Sequence, residues 1–279
     1  MRAGSPQRGV VLIVVLWVIA LLTLLLVAFS ATVRVDRSLS TDIVQRVKGR
    51  AAAEAALNYL TAIQRLGRED WPKMQGRVFI LPFEGAQVRF RLIPEEAYVS
   101  LTGASPEMLT QLIQAAGGGV DVKPIVERIL QRRDGLSSEP AAEGAPPVPP
   151  LRAVEELGLL PGVNPRWLEP LLPVLTLDSP HPGVDPKYAS PALLGVLLGA
   201  DKARDLLAAR SREDFVPGDF MDPALIATPE GLVFRLQVEV RQGDLRRRVE
   251  VTSRFGEGPT GYKILRWNEY TARFDLDLP

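Results

Sequence analysis

The feature that most constrains this chain is a run of twenty residues from Val10 to Phe29, in which only Thr23 is polar. A helix rises about 1.5 Å per residue, so a run of this length spans roughly the 30 Å hydrocarbon core of a membrane. Arg2 and Arg8 precede the run. Because basic flanking residues stay on the cytoplasmic side, the sequence predicts a single membrane span with a cytoplasmic N-terminus and everything after the span outside.

Three kinds of N-terminal segment contain such a run. A secretory signal peptide is cut after its apolar region at an A-x-A-like site, for which Ala28, Phe29 and Ser30 are a poor match. The run is also long for a signal peptide. A plain signal anchor needs no glycine at the boundary, whereas Gly9 stands directly before the run. The third arrangement is cleavage after Gly9, which leaves the helix on the mature protein with Val10 as its first residue.

The helical pattern continues beyond the apolar run. Small or apolar residues recur near one helical face, at Ile43, Val47, Ala51, Ala55, Tyr59 and Ile63. Polar residues such as Arg46 and Glu54 occupy the other faces. The sequence therefore predicts one helix from Val10 to about Leu66, whose second half offers an apolar stripe to a folded domain.

Two segments before the middle of the chain and three after it are predicted to be strands. They are RVFILPF, AQVRFRLIPE, GLVFRLQVEVRQGD, DLRRRVEVTSRF and YKILRWNEY. In the third segment Phe234 and Leu236 face one way, while Arg235 and Gln237 face the other. We expect an antiparallel meander with one face free to cover the long helix. The basic triplet from Arg246 to Arg248 is expected in a solvated hairpin.

Between these strands the chain reads as short helices separated by prolines and glycines. The segments are SPEMLTQLIQAAGG, KPIVERILQRRDG, AVEELGLLPG, PRWLEPLLPVL and PALLGVLLGADKARDLLAAR. A proline-rich stretch from Ser137 to Pro150 is expected to be extended or disordered.

A weak internal repeat lies within this helical region. VSLTGASPEMLTQLI, from Val99, aligns with VDPKYASPALLGVLL, from Val184. Ser105 and Ser190 are expected to cap helices that begin with proline. The pattern indicates a duplicated helical module, and its alternative is two similar helix starts that arose by chance.

Composition excludes several classes of chemistry. Lysine plus arginine and aspartate plus glutamate both total 33, so the chain lacks the basic excess typical of nucleic-acid binding. Cysteine is absent, which excludes disulfides and thiolate chemistry. The single histidine, His181, excludes a two-histidine zinc site and is expected to be exposed in a proline-rich turn. No catalytic constellation is recognisable, so we expect neither an enzyme nor a nucleic-acid-binding protein.

The basic leader, Gly9 and the long helix together resemble the type IV pilin superfamily. In that family a prepilin peptidase cleaves after the glycine and methylates the new N-terminus, so the resemblance implies processing between Gly9 and Val10. Nearly every member has glutamate as the fifth mature residue. Val14 occupies that position here, and the first acidic residue after Gly9 is Asp36.

The missing glutamate has a physical explanation. A carboxylate in a bilayer is costly unless it is paired, and the family's glutamate is proposed to pair with the N-terminal amine of the subunit already added. A subunit with nothing above it has no such amine to neutralise, so an apolar residue such as Val14 costs less. Absence of the glutamate is the mark of the K-type minor pseudopilin of type II secretion (general secretion pathway protein K), which is proposed to cap the fibre tip.

The rest of the chain also resembles the K subunit, at VEELGLLPGV from Val154 to Val163 and at the C-terminal EVRQGDLRRRVEVTSR and YKILRWNEY. The resemblance implies an α+β fold in which a pilin-like long N-terminal helix packs on an antiparallel sheet, with a large all-helical domain inserted between strands. The expected parts are a prepilin leader at 1–9, a transmembrane and amphipathic helix at 10–66, a sheet domain at 67–97 and 228–279, and a helical insert at 98–227.

The family's role implies specific partners and a location. The K subunit joins the I-type and J-type minor pseudopilins at the tip and promotes pseudopilus assembly for export of folded proteins. The major pseudopilin, the prepilin peptidase and the bacterial inner membrane are the other implied partners, and the globular domain would be periplasmic. Two alternatives stay open: a minor pilin of a type IV pilus or DNA-uptake fibre, and a signal-anchored periplasmic domain that binds a ligand or DNA.

Four acidic residues in REDFVPGDFMDP are weak candidates for a calcium site, at Glu213, Asp214, Asp219 and Asp222. Calcium takes such oxygen ligands, and some K subunits hold calcium. The spacing matches no EF-hand loop, and Glu213 and Asp214 also fit a helix end and turn. No other cofactor is expected.

The leader yields a direct prediction. When the chain is expressed with a prepilin peptidase and purified from membranes, mass spectrometry is expected to find a mature N-terminus at methylated Val10. An intact leader, or a cut near Ser30, would contradict the resemblance to the pilin superfamily.

Overall fold

The computed structural model describes residues 7–66, 71–83, 85–117, 121–134, 149–212, 214–227, 231–242, 245–269, 274 and 276, without the side chains of 7–11, 27–28, 30–42, 117, 134 and 245. The predicted disordered stretch lies almost wholly outside these residues. The chain divides into two compact units, residues 1–52 and 53–279. Both contain part of the first helix.

The described residues form seven α-helices, several short 3-10 turns and seven strands. The helices are α1 (Gln7–Leu66), α2 (Trp71–Met74), α3 (Pro106–Gly117), α4 (Lys123–Asp134), α5 (Pro165–Leu168), α6 (Pro191–Leu198) and α7 (Ala200–Ala209). The strands are β1 (Val78–Phe83), β2 (Ala86–Pro94), β3 (Val99–Ser100), β4 (Leu175–Thr176), β5 (Val233–Gln242), β6 (Leu245–Phe255) and β7 (Tyr262–Asn268).

The predicted single N-terminal helix is confirmed as α1, which is continuous from Gln7 to Leu66. No proline interrupts it, and leucine, alanine and other good helix formers fill most of it. Within the part of the chain that the structure describes, no helix contains a window long and apolar enough to cross a membrane.

The last turns of α1 pack within the second unit. Ala53, Ala56, Leu57 and Leu60 are fully buried. The edge of the Tyr59 ring meets Phe90 of β2, with ring centroids 6.1 Å apart. The alanines carry little side chain, which allows the backbone of the helix to approach the sheet closely.

All five predicted strands form one antiparallel sheet in the order β1-β2-β5-β6-β7. The register aligns apolar residues across the sheet: Phe79 pairs with Phe90, Phe90 with Val238, and Val238 with Val249. This row buries one face of the sheet, as the alternating pattern predicts. The topology places β5 at the centre.

The other face of the sheet is also covered, which the sequence did not indicate. Arg235, Gln237 and Glu239 of β5 are at most 8% exposed, although they alternate with the apolar residues. The chain between β2 and β5 and the C-terminal segment cover this polar face. Arg89 donates a hydrogen bond to the backbone oxygen of Leu276 at 2.9 Å.

The segment between β2 and β5 has its own apolar core. Its largest fully buried members include Leu101, Met108, Leu109, Leu112, Ile129 and Leu193, from α3, α4, α6 and the turn before α3. The Gln111 side chain of α3 donates to the carbonyl oxygens of Val196 and Leu197 at the end of α6. These bonds satisfy carbonyls that a helix end leaves without intrahelical partners.

Three predicted helices are shorter than expected. AVEELGLLPG forms a 3-10 turn, Val154–Leu159. PRWLEPLLPVL breaks into α5, a 3-10 turn and β4, because Pro170 and Pro173 cannot continue a helix. The last predicted helix divides into α6 and α7 at Gly199, whose φ of 80° and ψ of 163° are open to glycine alone.

The predicted helix starts of the repeat are confirmed as two equivalent caps. The Ser105 hydroxyl accepts a hydrogen bond from the N–H of Met108, and the Ser190 hydroxyl accepts one from the N–H of Leu193, both at 3.2 Å. The residue before each cap also makes the same backbone hydrogen bond. The N–H of Ala104 donates to the carbonyl oxygen of Ser100, and the N–H of Ala189 donates to that of Asp185.

The equivalence extends beyond the helix starts. Val99 of β3 pairs in parallel with Leu175 of β4, and Val184 makes a parallel bridge with Ile226. A 3-10 turn that contains proline precedes each return segment, Leu172–Val174 before β4 and Pro223–Leu225 before Ile226. These shared pairings favour duplication of a whole module over a chance likeness of two helix starts.

Removing either serine cap is expected to destabilise the protein by about 1 kcal/mol, because an N-terminal amide loses its partner. Urea unfolding of Ser105→Ala and Ser190→Ala measures the loss. Ser211→Ala is the control, since Ser211 is exposed and caps no helix. Equal stability of all three variants would contradict the assignment of the caps.

Candidate functional site

The first candidate surface is the apolar stretch of α1. The described large hydrophobic side chains from Leu12 to Leu26 are all between 48% and 73% exposed. Thr23 is the polar exception, and its hydroxyl donates to the carbonyl oxygen of Ile19 at 2.7 Å. A helix that is apolar on every side requires an apolar partner or medium. This stretch is therefore a candidate contact surface.

The predicted processing residues lie on the same helix. Gly9 and Val10 are within α1, but their side chains fall outside the described residues. Val14, at the position of the family glutamate, is 55% exposed. Its side chain belongs to this candidate contact surface.

The acidic calcium candidates do not form a described metal site. Glu213 lies outside the described residues, and Asp214 and Asp219 are exposed. The Asp222 carboxylate accepts a hydrogen bond from the N–H of Ala224 at 2.9 Å and caps a 3-10 turn. Among the residues described, no group of three or more His, Cys, Asp or Glu is placed to hold a metal ion.

A second candidate site is a buried ion pair between Glu95 and Arg235. The Arg235 guanidinium donates to both Glu95 carboxylate oxygens, at 2.9 Å and 3.1 Å. It also donates to the backbone oxygen of Leu175 at 3.3 Å and lies 3.7 Å from the centre of the Tyr98 ring. Burial alone would lower the pKa of Arg235, but the charge of Glu95 raises it above its ordinary value.

This pair connects the sheet to the inserted helices. Arg235 lies on β5, and Glu95 follows β2 in a 3-10 turn. Thr176 of β4, within the insert, donates its hydroxyl proton to Glu95. Removing one member of a buried pair leaves an unpaired charge and costs roughly 3–5 kcal/mol. Hydrogen bonds to the Glu95 carboxylate thus connect the insert to the sheet, as does the ion pair between Arg266 of β7 and Asp178 at 2.6 Å.

A second carboxylate group lies next to this pair. Glu96 and Asp185 are both under 5% exposed, and the N–H of Asp185 donates to the Glu96 backbone oxygen at 2.6 Å. Burial raises the pKa of Glu96, and it raises that of Asp185 from 3.8 to about 6. A Cβ at Gly231 would contact the Glu96 carboxylate, so any larger residue there requires the Glu96 side chain to shift.

The expectation of an exposed His181 is wrong. Its side chain is 27% exposed, and Nε2 lies 3.8 Å from Oε1 of Glu96. The proline-rich turn folds back over the module, which brings the ring to a buried acid. The charge of His181 opposes the effect of burial on the pKa of Glu96.

The arginines of the expected solvated hairpin are partly exposed, at 41% for the Arg246 side chain and 31% for that of Arg248, but they pair with a buried acid. Glu239 is completely buried, and its carboxylate contacts Arg241 at 2.5 Å, Arg246 at 2.6 Å and Arg248 at 3.2 Å. Although burial alone would raise the pKa of Glu239, hydrogen bonds from these three arginines hold it below its ordinary value. Arg246 and Arg248 share one face of β6, as the alternation of a strand requires.

Sequence reasoning missed these carboxylates because alternating polar residues usually indicate solvent. One signal was available in the pairing of strands. The register sets Glu239 opposite Arg248 and next to Arg89 on the other neighbouring strand. Opposite charges in facing positions on three strands are what a buried polar face needs.

Comparison with known proteins supports the fold but gives no family assignment. No protein-family model matches the sequence, and no curated protein matches it. One structural match is a chain from the crystal structure of the GspK–GspI–GspJ complex of the type 2 secretion system of enterotoxigenic Escherichia coli. The match has a TM-score of 0.56 and 13% identity, and it covers 85% of this chain and 100% of that chain. The chain therefore has a pseudopilin-like α+β fold.

The buried Asp185 makes stability depend on pH. The carboxyl ionises near pH 3.8 in the unfolded chain and near pH 6 in the folded chain, so stability falls as the pH rises between these values. The ionised form costs the folded state up to about 3 kcal/mol. We expect Asp185→Asn to stabilise the protein at about pH 7.5 and to leave it nearly unchanged at about pH 4.5.

Urea unfolding of the wild type and the variant at both pH values tests this. The amide oxygen of Asn still accepts the hydrogen bond that Asp185 takes from the N–H of Lys187. Asp201→Asn is the matched control, because Asp201 is an exposed carboxylate on α7 that pairs with Arg204. A stability change in Asp185→Asn that is the same at both pH values would contradict the buried titration.

Proposed function

We propose that this protein is a minor pseudopilin of the K type, which caps the tip of a type II secretion pseudopilus. The observation that carries the proposal is the structural match, which extends over 85% of this chain and the whole of one chain from a GspK–GspI–GspJ complex. The absent glutamate at Val14 supports the K type among the members of such a complex.

In this proposal α1 serves first as a membrane anchor and then as a subunit contact. The membrane placement rests on the sequence from Val10 to Phe29 and on the basic residues before it. After cleavage at Gly9 by a prepilin peptidase and methylation of Val10, the helix leaves the inner membrane and packs against the helices of like subunits. Its exposed apolar side chains suit both surroundings.

The position of Val14 explains why this subunit would be first. A glutamate in the helix bundle needs the amine of a preceding subunit as its partner. With valine there, no charge is left unpaired at the end of the fibre. The subunit is thus able to start an assembly, with the I-type and J-type minor pseudopilins and then the major pseudopilin joining beneath it.

The inserted helical modules would obstruct the addition of any subunit above. For that role the insert has to stay fixed relative to the sheet. The Glu95–Arg235 pair and the bond from Thr176 fasten the two parts at buried points. A rigid attachment supports a steric cap, whereas a flexible one would let the insert move aside.

The proposed protein acts by assembly, and its domain after α1 is periplasmic. Neither catalysis nor nucleic-acid binding is part of the proposal. The alternative of a minor pilin from a type IV pilus or DNA-uptake fibre shares the leader and the helix. The type 2 secretion origin of the matched structure favours the secretion role. A signal-anchored binding domain would retain its leader.

Co-purification tests the proposal. The tagged full chain is expected to elute together with the I-type and J-type minor pseudopilins of the same organism at micromolar concentration, after extraction in mild detergent. Minor pilins of a type IV pilus from the same organism serve as the matched control and are expected to stay separate. Binding to the pilus proteins alone would favour the alternative, and binding to neither set would contradict an assembly role at a tip.

A further inference from the structure

A large cleft lies between the polar face of the sheet and the inserted modules, all within the second unit. Its volume is about 770 Å³. Its floor includes Arg91 of β2, Gln237 of β5, Thr252 of β6 and Asn268 of β7. The opposite wall comes from the insert, at Leu172–Leu175, Lys187–Ala192 and Arg210. The sheet and the insert therefore face each other across this cleft.

One end of this cleft is strongly basic. Four cationic side chains line the cleft together with Tyr188: Arg77, Arg91, Lys187 and Arg210. The charge of Arg77 acts on Tyr188, and the charge of Arg91 acts on Arg210. The Lys187 ammonium lies 5.6 Å from the centre of the Tyr188 ring, and the backbone at Gly76 packs directly on that ring. Arg210 donates to the carbonyl oxygen of Ala189 at 3.0 Å. These contacts bring the segment before β1 together with the insert.

The positive charge at this end exceeds the negative charge near it. Burial, and then the charge of Arg91, lower the pKa of Arg210, which is the effect expected where like charges face each other. The acid nearest in sequence to Lys187 and Tyr188 is Asp185. Burial raises the pKa of Asp185, and the charge of Lys187 opposes this effect. Two carboxylates also line the cleft, Glu155 on the insert and Glu250 on β6. Glu250 accepts a hydrogen bond at 3.3 Å from Gln237, whose side-chain oxygen accepts one from Arg91 at 3.1 Å.

The dimensions favour an extended chain over a compact ligand. The floor crosses β2, β5, β6 and β7, which are neighbours in the sheet. Adjacent strands are about 4.8 Å apart, so the floor is about 14 Å long, enough for about five residues of extended polypeptide. The cleft is also lined by apolar residues that can contact apolar side chains of such a chain: Pro170, Leu172, Pro173 and Phe274.

We propose that this cleft binds an extended acidic segment of a partner polypeptide, with its carboxylates at the basic end around Tyr188. The observation that carries this is the meeting of four cations in a cleft long enough for several residues. Carboxylates bind guanidinium groups through charge-assisted hydrogen bonds. The site lies on the second unit and does not require a fibre, so it stands or falls separately from the proposed tip role.

Fluorescence anisotropy with the full chain in detergent tests the proposal. The probe is a short labelled peptide of alternating glutamate and valine, and the comparison peptide alternates glutamine and valine. The acidic peptide is expected to bind more tightly, and its affinity is expected to fall as salt is added. Equal binding of the two peptides would overturn the proposal.

Variants locate the site. The double change Lys187→Gln and Arg210→Gln is expected to weaken binding of the acidic peptide by about tenfold or more, because hydrogen bonds to charged groups are lost. Arg204→Gln is the matched control: Arg204 lies on α7, is 74% exposed and pairs with Asp201 outside the cleft. It is expected to change the affinity by less than about twofold. An unchanged affinity in the double variant would overturn the proposal.

A single variant and a competition experiment complete the test. Arg77→Gln removes an exposed cation that makes no hydrogen bond among the described residues, so it reports on the cleft even if the double variant unfolds. It is expected to weaken peptide binding severalfold, and an affinity equal to that of the wild type would count against the basic end. Competition by inorganic phosphate at equal potency to the peptide would show a simple anion site and would overturn the polypeptide assignment.

Discussion

The structure depends on the burial of charged groups on the polar face of its sheet. Arg235 and Glu239 are in β5, the central strand, and both are removed from water. Each charge needs a partner in the folded state, because an unpaired buried charge costs several kcal/mol. Glu95 supplies the partner for Arg235, and arginines on the neighbouring strands supply those for Glu239. The alternation of polar and apolar residues would predict that this polar face of the sheet is exposed to water. Instead it is buried between the sheet and the insert.

This buried polar face explains how a sheet and a helical insert form one unit. The insert has its own apolar core and two equivalent modules. Its contacts with the sheet fix its orientation relative to the sheet. Charged hydrogen bonds are directional, and a carboxylate held by an arginine and by a threonine of the insert admits one arrangement. The apolar contact of α1 on the opposite face is broader and less directional.

The two faces of the sheet therefore have different roles in the proposed assembly. One face holds the end of a helix whose other part is the candidate contact surface. The other face carries the insert, and the incomplete fit between them leaves the basic cleft. The proposed assembly through α1 and the proposed recognition through the cleft use different residues of the protein.

The sequence alone determined the long helix, the five strands and the two serine-capped helix starts. Each depends on neighbours in the chain: a helical run without proline, alternation with a period of two, and a serine before a proline. It did not determine that Arg235 and His181 are near Glu95 and Glu96, nor that helix α6 ends at Gly199. These features arise from packing between segments far apart in the chain. The sequence pattern of a polar strand face is the same whether water or another module covers that face. Only the tertiary structure decides which of the two does.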